Sequence, residues 1–287
     1  MLRNNLQIRD PFLLVENGKY YLLGSTGNDP WNHGSDLILY VSEDLENFEP
    51  ITKLVKDEYF EGYTNIWAPE LHKYNEKYYL IVSVKPENSK KHGSMIFVSD
   101  SLTGNYRPLT GEFITPKYMN CIDATLFEHK GKPYLCFSNE WVDVLTNDGD
   151  GALYIGELSN DLKEIVGKPR KIVSAKYCGF SKKLPFADDG GYVAEGPYLF
   201  LQDGEIVLLW STFTEKGYCV VKSTAENGVI GDYKIEKMLI EADGGHCMSF
   251  IDLRGNRKLA FHQPNGTPNE RAQIYDYADL ERNAKPL

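Results

Sequence analysis

Short runs of apolar residues, separated by tight polar turns, recur along this chain of 287 residues. Each recurring unit is an apolar strand, a turn and a second apolar strand, which is the pattern of a β-hairpin. Four of the five turns carry Gly where a two-residue hairpin needs a positive φ angle. The copies are DPFLLVENGKYYLLGS from Asp10, APELHKYNEKYYLIVS from Ala68, DATLFEHKGKPYLCFS from Asp123, EGPYLFLQDGEIVLLWS from Glu195 and HCMSFIDLRGNRKLAFH from His246.

The spacing of the copies predicts the fold. A third apolar segment follows every hairpin, and the hairpins end at residues 25, 83, 138, 211 and 262, which are 58, 55, 73 and 51 residues apart. This is the size of a four-stranded propeller blade with its loops. A β-sandwich also has many short strands, but it does not repeat one register five times. We therefore predict an all-β fold: a single-domain five-bladed β-propeller over residues 1–287, with blades beginning near residues 10, 68, 123, 195 and 246. The segment 161–194 is predicted to be an elaborated loop.

Composition narrows the class of partner. The formal net charge of −10 and the pI near 5.2 argue against nucleic acid or an anionic membrane, because both need basic patches. A neutral substrate is favoured. The chain has no run of 18 apolar residues and no signal-like N-terminal stretch. Its five cysteines are odd in number and lack CxxC spacing, which indicates neither a disulfide framework nor a zinc site. We predict a cytoplasmic protein, and the sequence predicts no oligomeric state.

Ionisable residues stand at the start of four of the five hairpins. Counted from the turn Gly, Asp10 and Asp123 lie eight residues upstream, and Glu195 and His246 lie nine. The inner strands of a propeller run along its channel, so these starts converge on one end of the axis. Singly, each has a structural explanation, such as a turn-initiating Asp or a core histidine. The shared register favours a common site. Clustered carboxylates facing a neutral substrate suggest paired acid and base roles, as glycosidic hydrolysis requires.

The same residues lie in motifs that resemble glycoside hydrolase family 43, whose members are arabinofuranosidases, β-xylosidases, arabinanases and related enzymes on five-bladed propellers. The matching segments are IRDPF, WAPE, CIDATLF, AEGPYLF and GGHCMSF. They follow the order of the family and cover essentially the whole chain. The related invertase and fructan-hydrolase clan also uses an RDP motif, but there it lies in mid-chain, whereas here it is N-terminal.

The resemblance implies a role for each catalytic candidate. Asp10 is the general base that activates water, Glu195 is the general acid, and Asp123 orients the acid and tunes its pKa. His246 matches a histidine near the propeller axis that in many family members lies beside a bound cation or an ordered water, and it is also a candidate for binding substrate. A calcium or sodium ion can therefore lie there, but no cofactor is required.

Further residues are candidates for binding the sugar. Arg271 resembles an arginine that binds substrate hydroxyls in exo-acting members of the family, and a solvated surface role is the alternative. Trp67 and Trp31 are candidates for stacking on a sugar face, because an aromatic ring offers a flat apolar surface. Packing is the alternative for Trp31 and for Trp141.

These expectations combine into a predicted activity. We expect an inverting, exo-acting glycosidase that releases α-L-arabinofuranose or β-D-xylose from plant-derived oligosaccharides, with roughly 6.5–9.5 Å between the carboxyls of Asp10 and Glu195. The chain ends soon after the fifth hairpin and has no C-terminal β-sandwich of the kind many family β-xylosidases carry, which favours arabinofuranose. The alternatives are another family specificity, such as arabinanase or β-galactosidase, and a non-catalytic carbohydrate-binding propeller.

Overall fold

Five antiparallel β-sheets form the blades of the molecule. The computed structural model describes residues 1–27, 29, 31, 35–142, 148–185 and 190–287. The first blade contains β1 (Arg9–Glu16), β2 (Lys19–Ser25), β3 (Ile38–Ser42) and β4 (Glu49–Lys53). The second contains β5 (Tyr63–Tyr74), β6 (Lys77–Pro86), β7 (Gly93–Ser99) and β8 (Arg107–Pro108). The third contains β9 (Cys121–His129), β10 (Lys132–Asn139), β11 (Ala152–Glu157) and β12 (Arg170–Ser174).

The last two blades share the C-terminal part of the chain. The fourth contains β13 (Glu195–Gln202), β14 (Glu205–Thr214), β15 (Gly217–Glu226) and β16 (Asp232–Ile240). The fifth contains β17 (Gly245–Ile251), β18 (Arg257–Gln263) and β19 (Arg271–Asp276). Helix α1 (Tyr277–Asn283) follows, and β20 (Lys285–Pro286) pairs with the outer edge of β16. Short 3₁₀ helices span Arg3–Asn5, Asp57–Phe60 and Ala175–Tyr177.

The first strand of every blade is the innermost one. Strands β1, β5, β9, β13 and β17 contact their neighbours in order, and β17 returns to β1, so that the ring closes. The N-terminal segment completes this closure, because Gln7 bridges to Arg271 of β19 and the N–H of Ile8 donates to the carbonyl of Glu270. The first residues of the chain thus extend the last blade.

Apolar side chains pack between the blades, and the second strand of a blade can be buried on both faces. In β14, seven consecutive residues from Ile206 to Thr212 are buried. A strand buried on both faces is expected to be apolar at nearly every position rather than at alternate ones. This explains runs such as Ile-Val-Leu-Leu-Trp, which show no strict alternation. None of the helices in the described ranges is long and apolar enough to cross a membrane.

The predicted fold class is confirmed, and the strands begin within a few residues of the predicted blade starts. The predicted loop over residues 161–194 is partly wrong, because it contains β12, the outer strand of the third blade. That strand is short and mostly polar, since its outer face meets solvent, and it therefore lacks an apolar pattern. Residues 186–189 of the segment lie outside the described residues.

Candidate active site

Every inner strand is interrupted by a β-bulge close to one end of the channel. Two residues of the inner strand lie opposite one residue of the second strand, and the first of the two has a positive φ. A bulge bends its strand and redirects side chains. Adjacent residues, rather than alternate ones, can therefore face the same cavity. The bulge residues with positive φ are, in blade order, Asp10, Ala68, Asp123, Gly196 and His246.

The bulges correct the register predicted from the sequence. Counting back from the turn Gly placed His246 with Glu195, but His246 takes the bulge position of Asp10 and Asp123. The reason is that the hairpin turn of the fifth blade spans residues 252–256 and is longer than the two-residue turns of the first and fourth blades. Glu195 lies one residue before its bulge, whose position is taken by a glycine.

Hydrogen bonds join the bulges to the preceding blades around the channel. In three blades the N–H of the bulge residue donates to a serine at the end of the neighbouring second strand, at 2.8 Å in each case: Ala68 to Ser25, Asp123 to Ser83, and His246 to Ser211. Where the fifth blade meets the first, the N–H of Asp10 donates to Nδ1 of His262 at 3.2 Å. The backbones that carry Asp10, Asp123 and His246 are thus each fixed by a neighbouring blade.

A cavity of about 720 Å³ lies at this end of the channel, within the range of small-molecule sites. Tryptophan, Leu and Phe side chains form much of its wall, together with polar groups from the first, third, fourth and fifth blades. The sequence-predicted residues that line it are Asp10, Asp123, Glu195, His246, Trp31 and Trp67.

Arg271 is not among the residues that line this cavity. It lies on β19 beside the N-terminal segment, and its guanidinium donates to the carbonyls of Asn4, Pro268 and Glu270. These contacts hold the ring closure, and the predicted substrate role of Arg271 stays a prediction. The arginine that lines the cavity is Arg9.

Arg9 is not among the residues predicted from the sequence, although it directly precedes Asp10 in the IRDPF motif. Its position before the bulge is the one that Glu195 has in the fourth blade. Its Nη1 donates to Oε1 of the fully buried Glu270 at 2.7 Å, and its guanidinium lies 5.0 Å from the ring centre of Trp31. Other lining residues without a sequence signal include Ile122, Glu140, Leu184, Phe213, Asn265 and Thr267.

Asp10 is surrounded by positive and donating groups. Its Oδ1 lies 3.2 Å from Nδ1 of His246 and 4.0 Å from Nε of Arg9, and its Oδ2 accepts from the hydroxyl of Ser25 at 2.8 Å. Burial raises the pKa of Asp10, but His246, Arg9 and the other neighbours outweigh burial and lower the pKa to about 2. Asp10 is therefore ionised at neutral pH.

Asp123 and Glu195 have the opposite electrostatic tendency. Burial raises the pKa of both carboxyls, and Glu195 further raises the pKa of Asp123 because two buried negative charges repel. Oδ2 of Asp123 accepts from the N–H of Gly196, the residue after Glu195, at 3.1 Å. The pair therefore tends to hold a proton where Asp10 does not.

His246 lies between the carboxylates, with its Nδ1 3.2 Å from Asp10 and 3.9 Å from Oδ2 of Asp123. Burial lowers the pKa of His246, but the surrounding carboxylates outweigh burial and raise it. A protonated imidazole can thus supply positive charge at this point. In the ranges that the structure describes, no group of three or more His, Cys, Asp or Glu is arranged to hold a metal ion. A cation beside His246 stays a prediction.

The aromatic wall is built from rings in mutual contact. Trp31 and Trp67 meet edge to face with their centres 5.5 Å apart, and His92 stacks against Trp67 at 4.7 Å. Trp141 also lines the cavity, so packing alone does not describe its position. Flat rings beside carboxylates are typical of sites that hold the apolar face of a sugar.

The chain is similar in sequence and in structure to known glycoside hydrolases. The family model described as glycosyl hydrolases family 43 matches residues 4–269. The crystal structure of an endo-arabinase from Bacteroides thetaiotaomicron VPI-5482 superposes with a TM-score of 0.86, at 30% sequence identity and with 96% of each chain covered.

Curated relatives are more distant and differ in mode of action. The chain is 27% identical over 168 residues to an extracellular exo-alpha-(1->5)-L-arabinofuranosidase of Streptomyces chartreusis, a match that covers 57% of this chain and 48% of that enzyme. It thus spans about half the length of that relative. It is 25% identical over 256 residues to a probable arabinan endo-1,5-alpha-L-arabinosidase A of Aspergillus clavatus, covering 86% of this chain and 69% of that protein.

Proposed function

The chain belongs to glycoside hydrolase family 43, and from this membership we propose that it is an inverting, exo-acting hydrolase that releases α-L-arabinofuranose from plant-derived oligosaccharides. The observation that carries the proposal is the convergence of Asp10, Asp123 and Glu195 on one cavity with opposed pKa shifts. Carboxyl groups whose environments push their pKa values apart are suited to separate base and acid roles.

Each carboxyl has one role in the proposed reaction. Asp10, which is ionised, accepts a proton from a water molecule as the water oxygen bonds to the anomeric carbon. Glu195, whose pKa is raised by burial, donates a proton to the glycosidic oxygen as the bond from that oxygen to the anomeric carbon breaks. Asp123, whose own pKa is raised by burial and by the charge of Glu195, orients the acid by accepting from the N–H of the next residue, Gly196. Exchange with water then returns a proton to Glu195 and removes one from Asp10.

The remaining lining residues fit a neutral sugar. Trp31 and Trp67 offer ring surfaces, and Arg9 and His246 offer donors for hydroxyl groups. We propose Arg9 for the role that sequence analysis gave to Arg271. The net charge of −10 favours an uncharged ligand over a polyanion.

Arabinofuranose is preferred as the substrate because the three relatives described above are all named for arabinose-containing substrates. Endo action on arabinan is the second candidate, and the similarity to the Bacteroides endo-arabinase over nearly the whole chain favours it. Release of β-D-xylose is the third.

Product analysis tests the proposal. The enzyme is incubated with linear α-1,5-arabino-oligosaccharides and with p-nitrophenyl α-L-arabinofuranoside and β-D-xyloside. Exo action gives arabinose as the sole early product, whereas endo action gives a mixture of shorter oligosaccharides. Faster cleavage of the xyloside would replace arabinose by xylose in the proposal. Inertness toward all of them, with retained binding, would point to a non-catalytic propeller.

The stereochemical course and the acid are tested separately. Proton NMR of the first product should show the anomer opposite to that of the substrate, and a retained anomer would contradict the inverting mechanism. Glu195→Gln should abolish cleavage of oligosaccharides but spare the nitrophenyl substrate more, because a good leaving group needs little protonation. Glu112→Gln, at an exposed ion pair with Lys117, is the control and should behave as wild type.

A further inference from the structure

A buried tyrosine stands behind Glu195, outside the cavity. Tyr218 is 1% exposed and lies on β15. Its hydroxyl donates to Oε1 of Glu195 at 2.7 Å. The residue does not line the cavity, so it can act on a substrate only through the carboxyl that it contacts.

The position of the Tyr218 ring is enforced from several sides. Phe213 packs against it with ring centres 4.8 Å apart, and His262 stacks nearly parallel to it at 5.6 Å. A Cβ on Gly245 would lie 2.2 Å from the ring, so only glycine leaves room for it there. The second glycine of the GGHCMSF motif is therefore required because the Tyr218 ring packs directly against its backbone.

The stacking partner links this tyrosine to the base. Nδ1 of His262 accepts from the N–H of Asp10 at 3.2 Å, and its Nε2 lies 3.0 Å from Oδ1 of Asn265. These contacts require the tautomer with the proton on Nε2. Burial and the nearby charge of Arg9 lower the pKa of His262 to about 4, so the ring is neutral at neutral pH. The His262 ring thus contacts the backbone of Asp10, the proposed base. It also contacts the ring of Tyr218, whose hydroxyl binds the proposed acid.

Tyr218 is a donor over the whole working range of pH. Burial and the adjacent Glu195 carboxylate raise the pKa of Tyr218 well above its ordinary value, so its proton stays in place. A hydrogen bond donated to a carboxylate favours the ionised form. The Tyr218 contact therefore opposes burial, which raises the pKa of Glu195.

We propose that Tyr218 is a positioning residue for Glu195: its hydroxyl holds Oε1 so that Oε2 faces the leaving oxygen, and it prevents the acid from retaining its proton too tightly. This inference rests on the proposed function, in which Glu195 is the acid. The ring is in turn held by His262, Phe213 and the space above Gly245.

The variant Tyr218→Phe removes only the hydroxyl. Without this donor, the proton affinity of Glu195 should rise about tenfold, the effect expected of one hydrogen bond to a charged group. The basic limb of the kcat/KM profile on arabino-oligosaccharides should then move about one pH unit upward. The control is Tyr106→Phe, which removes the hydroxyl of another buried tyrosine, bound to the carbonyl of Leu102 on the second blade. Its profile should match that of wild type.

A direct titration separates this inference from the proposed function. Carbon NMR of the protein labelled at the Glu carboxyls follows the Glu195 resonance, which is assigned by its absence in Glu195→Gln. In folded Tyr218→Phe that resonance should titrate at higher pH than in wild type, whatever the substrate proves to be. An unchanged titration overturns the inference. Inertness on all arabinosides, with a shifted titration, would overturn the proposed function alone.

A second measurement covers the case in which Tyr218→Phe does not fold. Wild-type protein made with 3-fluorotyrosine carries a more acidic phenol and therefore a stronger donor at every tyrosine. The Glu195 resonance should then titrate at lower pH, opposite in direction to the Phe variant. A Glu195 titration that is identical with and without fluorine would also overturn the inference.

Discussion

Glu270→Gln tests whether a buried ion pair closes the ring of blades. Glu270 is fully buried, and its Oε1 accepts from Nη1 of Arg9 at 2.7 Å and from the hydroxyl of Thr267 at 2.6 Å. These contacts join the first blade to the segment between β18 and β19. Glutamine keeps the shape and one acceptor but removes the negative charge, so the Arg9 guanidinium loses its nearest counterion.

The expected magnitude follows from the burial of both partners. Removing one member of a buried ion pair typically lowers the free energy of unfolding by about 3–5 kcal/mol, because the remaining buried charge is left without a counterion. Arg9 retains Asp10 at 4.0 Å and a side-chain exposure of 11%, so the lower end, about 3 kcal/mol, is expected. In a domain of this size such a loss lowers Tm by roughly 5–10 °C.

Thermal and urea unfolding at several pH values provide the assay. Burial raises the pKa of Glu270, but Thr267 and Arg9 outweigh burial and lower it. A carboxyl with a lowered pKa stabilises the fold above its ordinary pKa of about 4.3, and this stabilisation is lost as the pH falls through the folded-state value. The difference in unfolding free energy between wild type and Glu270→Gln should therefore be largest at pH 7 and should shrink below about pH 4.

A matched control isolates the effect of burial. Glu112→Gln removes the charge of an ion pair of similar length, 2.8 Å to Lys117, in which both side chains are 67% exposed. Exposed pairs contribute little, so its Tm should stay close to that of wild type. If Glu270→Gln lowers Tm no more than this control, or if its effect does not depend on pH, the reasoning about the buried pair is refuted.

Three further predictions concern the site. The pH profile of kcat/KM on oligosaccharides should be flat down to about pH 4, because Asp10 has a pKa of about 2. It should fall at high pH as the Asp123–Glu195 pair loses its proton. A loss of activity on the acid side near pH 6 would contradict Asp10 as the base. Gly245→Ala should lower both kcat and Tm, since the added methyl meets the Tyr218 ring, whereas Gly266→Ala, with no atom within 4 Å, should leave Tm unchanged in the same scans. Trp67→Leu should raise KM several-fold with little change in kcat; an unchanged KM in steady-state kinetics would remove Trp67 from sugar binding.

The sequence alone determined the fold class and the residues that start the inner strands. Hairpin patterning is local, because alternating apolar strands and Gly turns act over fewer than twenty residues, and five copies of one pattern leave few architectures. A carboxylate between apolar neighbours, as at Asp123 and Glu195, is also visible without a structure. The convergence of Asp10 and Asp123 follows from their shared position in that repeat, whereas the bulge position of His246 was established only by the structure.

Only the tertiary structure decided which neighbours act on those residues. Arg271 and Arg9 both lie in motif-like segments, but the N-terminal segment occupies the guanidinium of Arg271, and Arg9 alone reaches the cavity. Tyr218 and His262 carry no local signal, since a tyrosine and a histidine in apolar strands are ordinary core residues. Their effect on Glu195 and Asp10 depends on contacts between residues 23 and 252 positions apart in the chain. Strand pattern is encoded by neighbours in sequence, whereas proton affinity is determined by neighbours in space.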